Sequence, residues 1–260
     1  MTRADILREA ISRFPAGKVF GYSELANTQL RHSAMVIEMN RLVQKGEVSR
    51  VMRGRFTTAE NSKKAVSPQE IISAICNYRN KVCGYETGPS VWEKWGLVPT
   101  AKSRKEYYIS ITQMRPAQKH GRIIVRFKRS KLDPSRYNHE IMQFLDTLES
   151  VNSIAQKSKA DIFGIMEQLF RSWNEGYRNQ LANYALAYKP VTRALAGALL
   201  EKEGYAADAR RLASSLHPAS TYKIKADCSI IQNISDWRII CDKKSSQANK
   251  QTKNSKQKNA

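Results

Sequence analysis

The segment Leu42–Thr58, LVQKGEVSRVMRGRFTT, contains the residue types that bind phosphate. Three arginines, Arg50, Arg53 and Arg55, crowd around the turn-former Gly54. Arginines on a tight hairpin can bond to phosphate oxygens or reach into a groove of a duplex. A glycine just past a periodic apolar run marks the end of a helix, and Gly46 has that position. The pattern therefore predicts a helix followed by a basic β-hairpin, and it indicates DNA as the first expected partner.

The helix before this hairpin shows two distinct faces. An apolar stripe at helical spacing, Met35–Met39–Leu42–Val43, is predicted to face the core. The other face carries groups that read base edges in a major groove: an amide and a guanidinium suit adenine and guanine, and aliphatic side chains suit the thymine methyl group. The alternative to DNA binding is an ordinary solvent-exposed helix face of a winged helix that mediates protein contacts. With the hairpin arginines, the predicted DNA-binding residues are Ser33, Val36, Ile37, Asn40, Arg41, Arg50, Arg53 and Arg55.

Residues 1–60 are predicted to form one compact domain. Apolar residues recur at helical spacing from Ile6 and stop at Pro15, and Val19–Phe20 suits a short strand. Ser23 has the side chain of an N-cap for a second helix, with Glu24 in its first turn. The predicted order of helix, strand, helix, turn, helix and hairpin is typical of a winged helix-turn-helix.

The remainder predicts a larger C-terminal domain of mixed α/β and mostly helical character, which makes the whole chain α+β. Residues 61–67 are polar and lack periodicity, so they are predicted to be a linker. The C-terminal domain is predicted at 68–242 and is expected to fold alone. Residues 243–260 hold six lysines and no acidic residue, and they are predicted to be a disordered basic tail.

A second basic segment lies within the predicted C-terminal domain. Residues 115–131 contain seven Lys or Arg and no acidic residue. On a strand, Arg122, Arg126 and Lys128 lie on one face. The other face then holds Ile123, Val125 and Phe127. This basic face is interpreted as a solvated surface, a second DNA contact, or a surface for an acidic partner.

Composition bounds the class of protein. The chain has 260 residues and a formal net charge of +21, which favours phosphate polymers or acidic proteins as partners. The phosphate-binding, nucleophile-elbow and zinc-protease motifs are missing, so no enzyme, catalytic residue or cofactor is predicted. The cysteine and histidine spacings predict no metal site, and the cysteines are interpreted as buried free thiols. The sequence shows no leader peptide and no span of 18 apolar residues, which predicts a cytoplasmic location.

Several segments in this order resemble the AbiEi-type antitoxins of type IV toxin–antitoxin systems. The resemblance covers most of the chain up to about residue 225. It starts with residues 1–60, which end in GEVSRVMRGRFT, and it continues through GYETGPSVWEKWGLVP, YYISI, GRIIVRFKR, YKPVTRALAGALLEKEG and LHPASTYKI.

The resemblance implies an N-terminal domain that binds operator DNA and represses its own operon. It implies a C-terminal antitoxin domain that counteracts a nucleotidyltransferase-like toxin, with no stable complex required. Arg122, Arg126 and Lys128 are the candidate antitoxin surface. The alternative function is a plain winged-helix transcriptional regulator whose second domain binds an effector or forms oligomers.

Overall fold

The computed structural model describes residues 2–15, 17–58, 66–78, 80–154, 159–225 and 233–241 of a mixed α/β protein. The chain forms two compact units, and each unit is built from two separate stretches of sequence. Unit 1 consists of residues 1–86 and 103–136, and unit 2 consists of residues 87–102 and 137–260. The predicted tail at 243–260 and residues 61–65 of the predicted linker lie outside the described residues.

The first half of unit 1 packs two helices against a three-stranded sheet. Its elements are α1 (Arg3–Ser12), β1 (Phe20–Gly21), a 3-10 helix (Ala26–Thr28), α2 (His32–Gln44), β2 (Val48–Met52) and β3 (Arg55–Thr58). The sheet order is β1-β3-β2, and both strand pairs are antiparallel. The apolar stripe of α2 packs into the core with Phe20 and Phe56, as its spacing predicts.

The predicted N-cap at Ser23 is wrong. The only helical turn in this part of the described chain is the 3-10 helix Ala26–Thr28, and its N-cap is Leu25. The Ser23 hydroxyl instead donates to Glu24 Oε2 at 2.7 Å. Glu24 also accepts the Gly21 backbone N–H at 3.2 Å, so this carboxylate organises a turn instead of complementing a helix dipole.

The second half of unit 1 is a helix on a four-stranded sheet, with a separate pair of short antiparallel strands. Its elements are α3 (Pro68–Cys76), β4 (Asn77–Tyr78), β5 (Lys81–Val82), β6 (Gly84–Thr87), β7 (Glu106–Ile111), β8 (Gln118–His120) and β9 (Ile123–Arg129). The sheet order is β6-β7-β9-β8, with β7 and β9 parallel and β8 and β9 antiparallel. Strands β7 and β9 are thus neighbours at the centre of this sheet.

Contacts between the two halves explain why unit 1 extends beyond the predicted domain of residues 1–60. Val51 and Met52 of β2 pack against the core formed by α3 and the four-stranded sheet. The Val19 backbone N–H donates to Glu70 Oε2 of α3 at 3.0 Å. A chain cut at residue 68 loses these contacts, which argues against the expectation that 68–242 folds alone.

Unit 2 is mostly helical. Its elements are α4 (Pro89–Lys94), α5 (His139–Glu149), a 3-10 helix (Val151–Ser153), α6 (Lys159–Ser172), α7 (Glu175–Ala185), α8 (Pro190–Lys202), α9 (Ala206–Ser214), β10 (Tyr222–Ile224) and β11 (Ile239–Cys241). Strands β10 and β11 pair in parallel. Asp146 of α5 accepts hydrogen bonds from Thr87 Oγ1 at 2.9 Å and from the Tyr188 hydroxyl at 3.1 Å, and it thereby joins both stretches of this unit.

The expectation of free thiols holds for only two of the cysteines in the described residues. Cys76 and Cys83 are free, whereas Cys241 is disulfide-bonded. Burial raises the pKa of Cys76 to about 12, and the neighbouring Cys83 thiol adds to that shift. Cys76 is therefore protonated and unreactive at neutral pH.

Helix α8 packs against Trp237 at a point where only glycine fits. A β-carbon on Gly197 would collide with the indole ring of Trp237, whose side chain is buried. The Trp237 ring is held in place because its Nε1 donates to Glu201 Oε2 at 2.9 Å. Gly197 thus sets how closely the ring approaches the helix.

We expect Gly197→Ala to lower the free energy of unfolding of unit 2 by about 1–3 kcal/mol, because the added methyl group overpacks the core. All four tryptophans lie in unit 2, so their fluorescence during urea unfolding reports on this unit. The control is Gly164→Ala in α6, where the added methyl group meets open space. That variant should raise the free energy of unfolding of unit 2 by roughly 0.5–1 kcal/mol, because alanine has a higher helix propensity than glycine. Equal effects of the two substitutions would contradict the prediction.

Candidate nucleic-acid interface

Helix α2 presents an exposed face on the side opposite its core stripe. Ser33, Ile37 and Arg41 are exposed, while Val36 and Asn40 are half-buried. Ile37 is 52% exposed, so its side chain is available for an apolar contact. The five candidate residues on this helix thus lie on its accessible side, where a partner can reach them.

Arg41 forms an ion pair that the sequence reading did not include. Its Nη1 lies 2.8 Å from Oε1 of Glu38, and Glu38 is buried although it is charged. The Arg41 side chain itself remains 62% exposed. Its other guanidinium nitrogens therefore remain accessible to a ligand, but the pair with Glu38 must be kept or exchanged when they bind.

Asn40 and Arg50 meet across the junction of α2 and the hairpin. Arg50 Nη2 donates to Asn40 Oδ1 at 2.6 Å. The Arg50 guanidinium also lies over the ring of Phe56, 5.6 Å from its centre. The two candidates are thus brought together, and the Asn40 amide oxygen is occupied while its NH2 group is left to donate.

Arg53 is at the tip of the hairpin. Met52 pairs with Arg55, which leaves Arg53 and Gly54 as the two turn residues. Gly54 has a φ of +69°, a left-handed conformation that suits glycine. Arg53 is exposed and has no hydrogen-bond or ion-pair partner among the described residues. It is the hairpin arginine that is most available to a phosphate.

Arg55 is not available to DNA, which corrects the prediction for this residue. It is only 5% exposed, and its Nη1 lies 2.7 Å from Glu24 Oε1. Its Nη2 donates to the backbone carbonyl of Asn77 in β4. The guanidinium therefore ties the hairpin to the second half of unit 1, and it serves packing instead of ligand binding.

The carboxylate that pairs with Arg55 stays ionised at neutral pH. Burial raises the pKa of Glu24, but the hydrogen bond from Ser23 and the charge of Arg55 together lower this pKa by more than burial raises it. The pKa of Glu24 in the folded protein therefore lies below its ordinary value. The ionised carboxylate stabilises the fold at pH values above that ordinary value, and this stabilisation is lost as the pH falls through the lowered pKa. The Glu24–Arg55 pair is thus a charged pair under physiological conditions.

A basic cleft adjoins α2, and sequence reasoning did not identify it. It has a volume of about 320 Å³. The residues that line it come from the start of α1 and from α2: Thr2, Arg3, Ala4, Arg8, Glu38, Arg41, Leu42 and Lys45. Arg8 is paired with Glu47 and Asp5, and Arg41 is paired with Glu38, so the lining cations without an ion-pair partner among the described residues are Arg3 and Lys45. No sequence signal pointed to Arg3, because only the tertiary fold brings it near Lys45.

The second predicted basic surface lies on β9 of the four-stranded sheet. Ile123, Val125 and Phe127 are buried on one face, as the alternation predicts. Arg126 is exposed on the other face but forms an ion pair with Glu106 at 2.8 Å. Lys128 lies over the ring of Tyr108 at 5.5 Å, and Arg122 is exposed in the turn before the strand.

Within the described residues, no helix is long and apolar enough to cross a membrane. The same residues hold no cluster of three His, Cys, Asp or Glu side chains placed to bind a metal ion.

We expect Arg55→Met to lower the free energy of unfolding of unit 1 by about 2–4 kcal/mol, because it leaves Glu24 and the Asn77 carbonyl without their partner. Unit 1 contains no tryptophan, so amide hydrogen exchange of β1 and β3 is the appropriate measurement. The control Arg53→Met removes an exposed guanidinium from the same hairpin and should change stability by less than about 0.5 kcal/mol. Similar protection in the two variants would show that Arg55 is not structural.

Comparisons with known proteins give one structural likeness. No protein-family model matches the chain, and no curated protein matches it. A crystal structure of the RV2827C protein from Mycobacterium tuberculosis is similar over 92% of this chain and 90% of that chain, with 11% sequence identity and a TM-score of 0.46. This likeness is too weak to indicate a function.

Proposed function

We propose that this chain is an AbiEi-type antitoxin that also represses its own operon by binding DNA. The observation that supports the DNA-binding part is the combination of an accessible face on α2 with Arg53, which has no partner among the described residues, at the tip of the adjoining hairpin. The antitoxin part rests on the sequence resemblance. The two parts are therefore tested separately.

The proposal treats the first half of unit 1 as a winged helix. Its order of α1, β1, 3-10 helix, α2, β2 and β3, with the sheet order β1-β3-β2, supports this assignment. In this assignment α2 is the recognition helix and the β2–β3 hairpin is the wing. The middle helix of the motif is reduced to the 3-10 helix Ala26–Thr28.

The proposed DNA contacts divide between bases and phosphates. The N-terminal part of α2 enters the major groove, where Ser33 donates or accepts and Val36 and Ile37 contact thymine methyl groups. The Asn40 oxygen accepts a hydrogen bond from Arg50, so only the Asn40 NH2 group is left to bind a base. This favours a single hydrogen bond to a base acceptor over the two-bond contact that asparagine makes with adenine. Arg53 contacts a phosphate or reaches into the minor groove from the wing.

Charge around α2 supports phosphate binding on the helix as well as on the wing. Arg3 and Lys45 line the basic cleft beside Arg41, so cations flank the helix. The whole chain carries a net charge of +21, which strengthens association with any polyanion. Sequence preference must therefore come from α2, since the charge itself attracts all DNA.

The antitoxin part of the proposal assigns the counteraction of a nucleotidyltransferase-like toxin to the C-terminal part of the chain. The resemblance implies that no stable complex with the toxin is required. The alternative is a plain transcriptional regulator that uses the same winged helix, with unit 2 binding an effector or another copy. The neighbouring reading frame discriminates between them, since a nucleotidyltransferase-like gene there favours the antitoxin.

We expect Arg53→Ala and Arg41→Ala each to weaken binding to the DNA upstream of the gene by about tenfold, because each removes a cationic contact to DNA. Fluorescence anisotropy with that duplex measures the affinity, and a random duplex of equal length measures non-specific binding. Arg210→Ala is the matched control, because it removes an exposed arginine from α9 of unit 2. Equal affinity of the wild-type protein for both duplexes would remove the repressor assignment.

We expect the double variant Arg41→Ala/Arg53→Ala to rescue cells that express the neighbouring toxin as well as the wild type does, because antitoxin action is assigned elsewhere. Growth of such cells at matched expression levels is the measurement. The full-length chain is used, since no single cut separates the two units. If the wild-type protein binds the operator but gives no rescue, the plain-regulator alternative replaces the antitoxin.

A further inference from the structure

The four-stranded sheet of unit 1 has an outward face that includes the candidate antitoxin residues Arg126 and Lys128, and the proposed function assigns it no ligand. Its other face packs against α3, with Tyr107, Ile109 and Val125 in the core. Residues that are directly opposite on paired strands point to the same face, so the strand registers define the outward set. This outward face consists of Glu106 and Tyr108 on β7, Ile124, Arg126 and Lys128 on β9, and Lys119 on β8.

This outward face is accessible to solvent. Lys119 and Arg126 are exposed, and Tyr108, Ile124 and Lys128 are half-buried. It ends at Ser110, which is buried, so the open area lies toward the start of β7 and the β8–β9 turn. Arg122 in that turn is also exposed and borders the face. A flat surface with an aromatic side chain at its centre is therefore open to a ligand.

The charge of this region is strongly positive. Residues 103–132 contain nine Lys or Arg and one acidic residue, Glu106. Arg126 donates to Glu106, and this hydrogen bond holds the pKa of Glu106 below its ordinary value, so the carboxylate offsets one cation. Lys119, Arg122 and Lys128 have no carboxylate partner among the described residues. An anionic ligand meets at least three uncompensated positive charges there.

Tyr108 determines which anionic ligand suits the face. The ammonium group of Lys128 lies over its ring, so the ring face is directed toward the cationic surface and not into the core. An aromatic ring among cations binds single-stranded nucleic acid, because the ring stacks on an unpaired base while the cations hold the phosphates. A duplex keeps its bases stacked inside, and an acidic peptide has no base to stack.

Glu106 favours RNA over single-stranded DNA. Its carboxylate accepts hydrogen bonds from Arg126 and from the Tyr108 hydroxyl, at 2.8 and 3.3 Å. An ionised carboxylate has about four acceptor positions, so it can accept a further hydrogen bond. Among the groups of a nucleic-acid backbone, the 2′-hydroxyl of ribose is the donor that can supply it.

We propose that this outward sheet face binds single-stranded RNA, with one base taking the place of the Lys128 ammonium group over the Tyr108 ring and the backbone phosphates held by Lys119, Arg122 and the displaced Lys128. The site is separate from α2 and its hairpin, so it stands whether or not the chain is a repressor. The Ile124 side chain adds apolar contact beside the stacked base. The proposal concerns binding, and no covalent step is involved.

The test uses the full-length protein and a fluorescently labelled 12-nucleotide uridine RNA in an anisotropy titration. We expect Tyr108→Leu to weaken binding about tenfold, because it removes the stacking surface, while Tyr108→Phe keeps the ring and binds within about twofold of the wild type. Lys119→Ala and Arg122→Ala should each reduce the slope of log affinity against log salt by about 0.7. The control is again Arg210→Ala.

Further binding measurements distinguish this site from other modes of RNA binding. The Arg41→Ala/Arg53→Ala protein should retain RNA affinity, since a site on α2 would lose it. The deoxyuridine strand of equal length should bind more weakly than the RNA. The proposal is overturned if Tyr108→Leu and Arg122→Ala both leave RNA binding unchanged in folded protein. It is also overturned if polyglutamate competes as well as RNA does, because charge alone would then explain the binding.

Discussion

Unit 1 depends on one buried charge, the guanidinium of Arg55. It connects Glu24 in the turn after β1 with the backbone carbonyl of Asn77 in β4, so three segments far apart in sequence meet at one side chain. A buried guanidinium that loses such partners destabilises the fold by several kcal/mol. Glu24 and the Asn77 carbonyl must therefore both be in place when Arg55 is buried. The close approach of β1 to the hairpin follows from it. A β-carbon on Gly21 would lie 2.9 Å from the carbonyl oxygen of Gly54 and 3.0 Å from Arg55 Nη1.

The same anchor gives the hairpin arginines different roles. Arg55 fixes the base of the hairpin, and Arg50 is held against Phe56 and Asn40. Arg53 alone of the three projects from the turn without a partner in the described part of the chain. Side chains that are already ordered lose little conformational entropy when a ligand arrives. The proposed wing is thus largely preorganised, with one exposed guanidinium at its tip.

Periodicity predicted the parts of this structure that depend on local geometry. The core stripe of α2 and the alternating burial of β9 follow directly from the helical and strand repeats. The burial of Arg55 did not follow, because its partners are 31 and 22 residues away. Glu38 was missed although its partner Arg41 is only three residues along α2, because helical spacing alone does not show that a glutamate beside the core stripe is buried. The division into units depends on Val51 and Met52, which pack against a core that is distant in sequence. A pattern of residue types specifies which face is apolar, but not which polar groups become partners in three dimensions.

The interleaving of the two units constrains how the chain assembles during synthesis. Strand β6 needs β7 as its neighbour, yet residues 88–102, which belong to unit 2, are synthesised between them. The parallel partner of β7 comes later still, since Tyr107 pairs with Val125. We therefore expect β6 and α3 to remain partly uncovered on the ribosome until about residue 136 has emerged. Parallel pairing over such separations is slow compared with a local hairpin. The apolar face of α3 is then open to aggregation in the nascent chain.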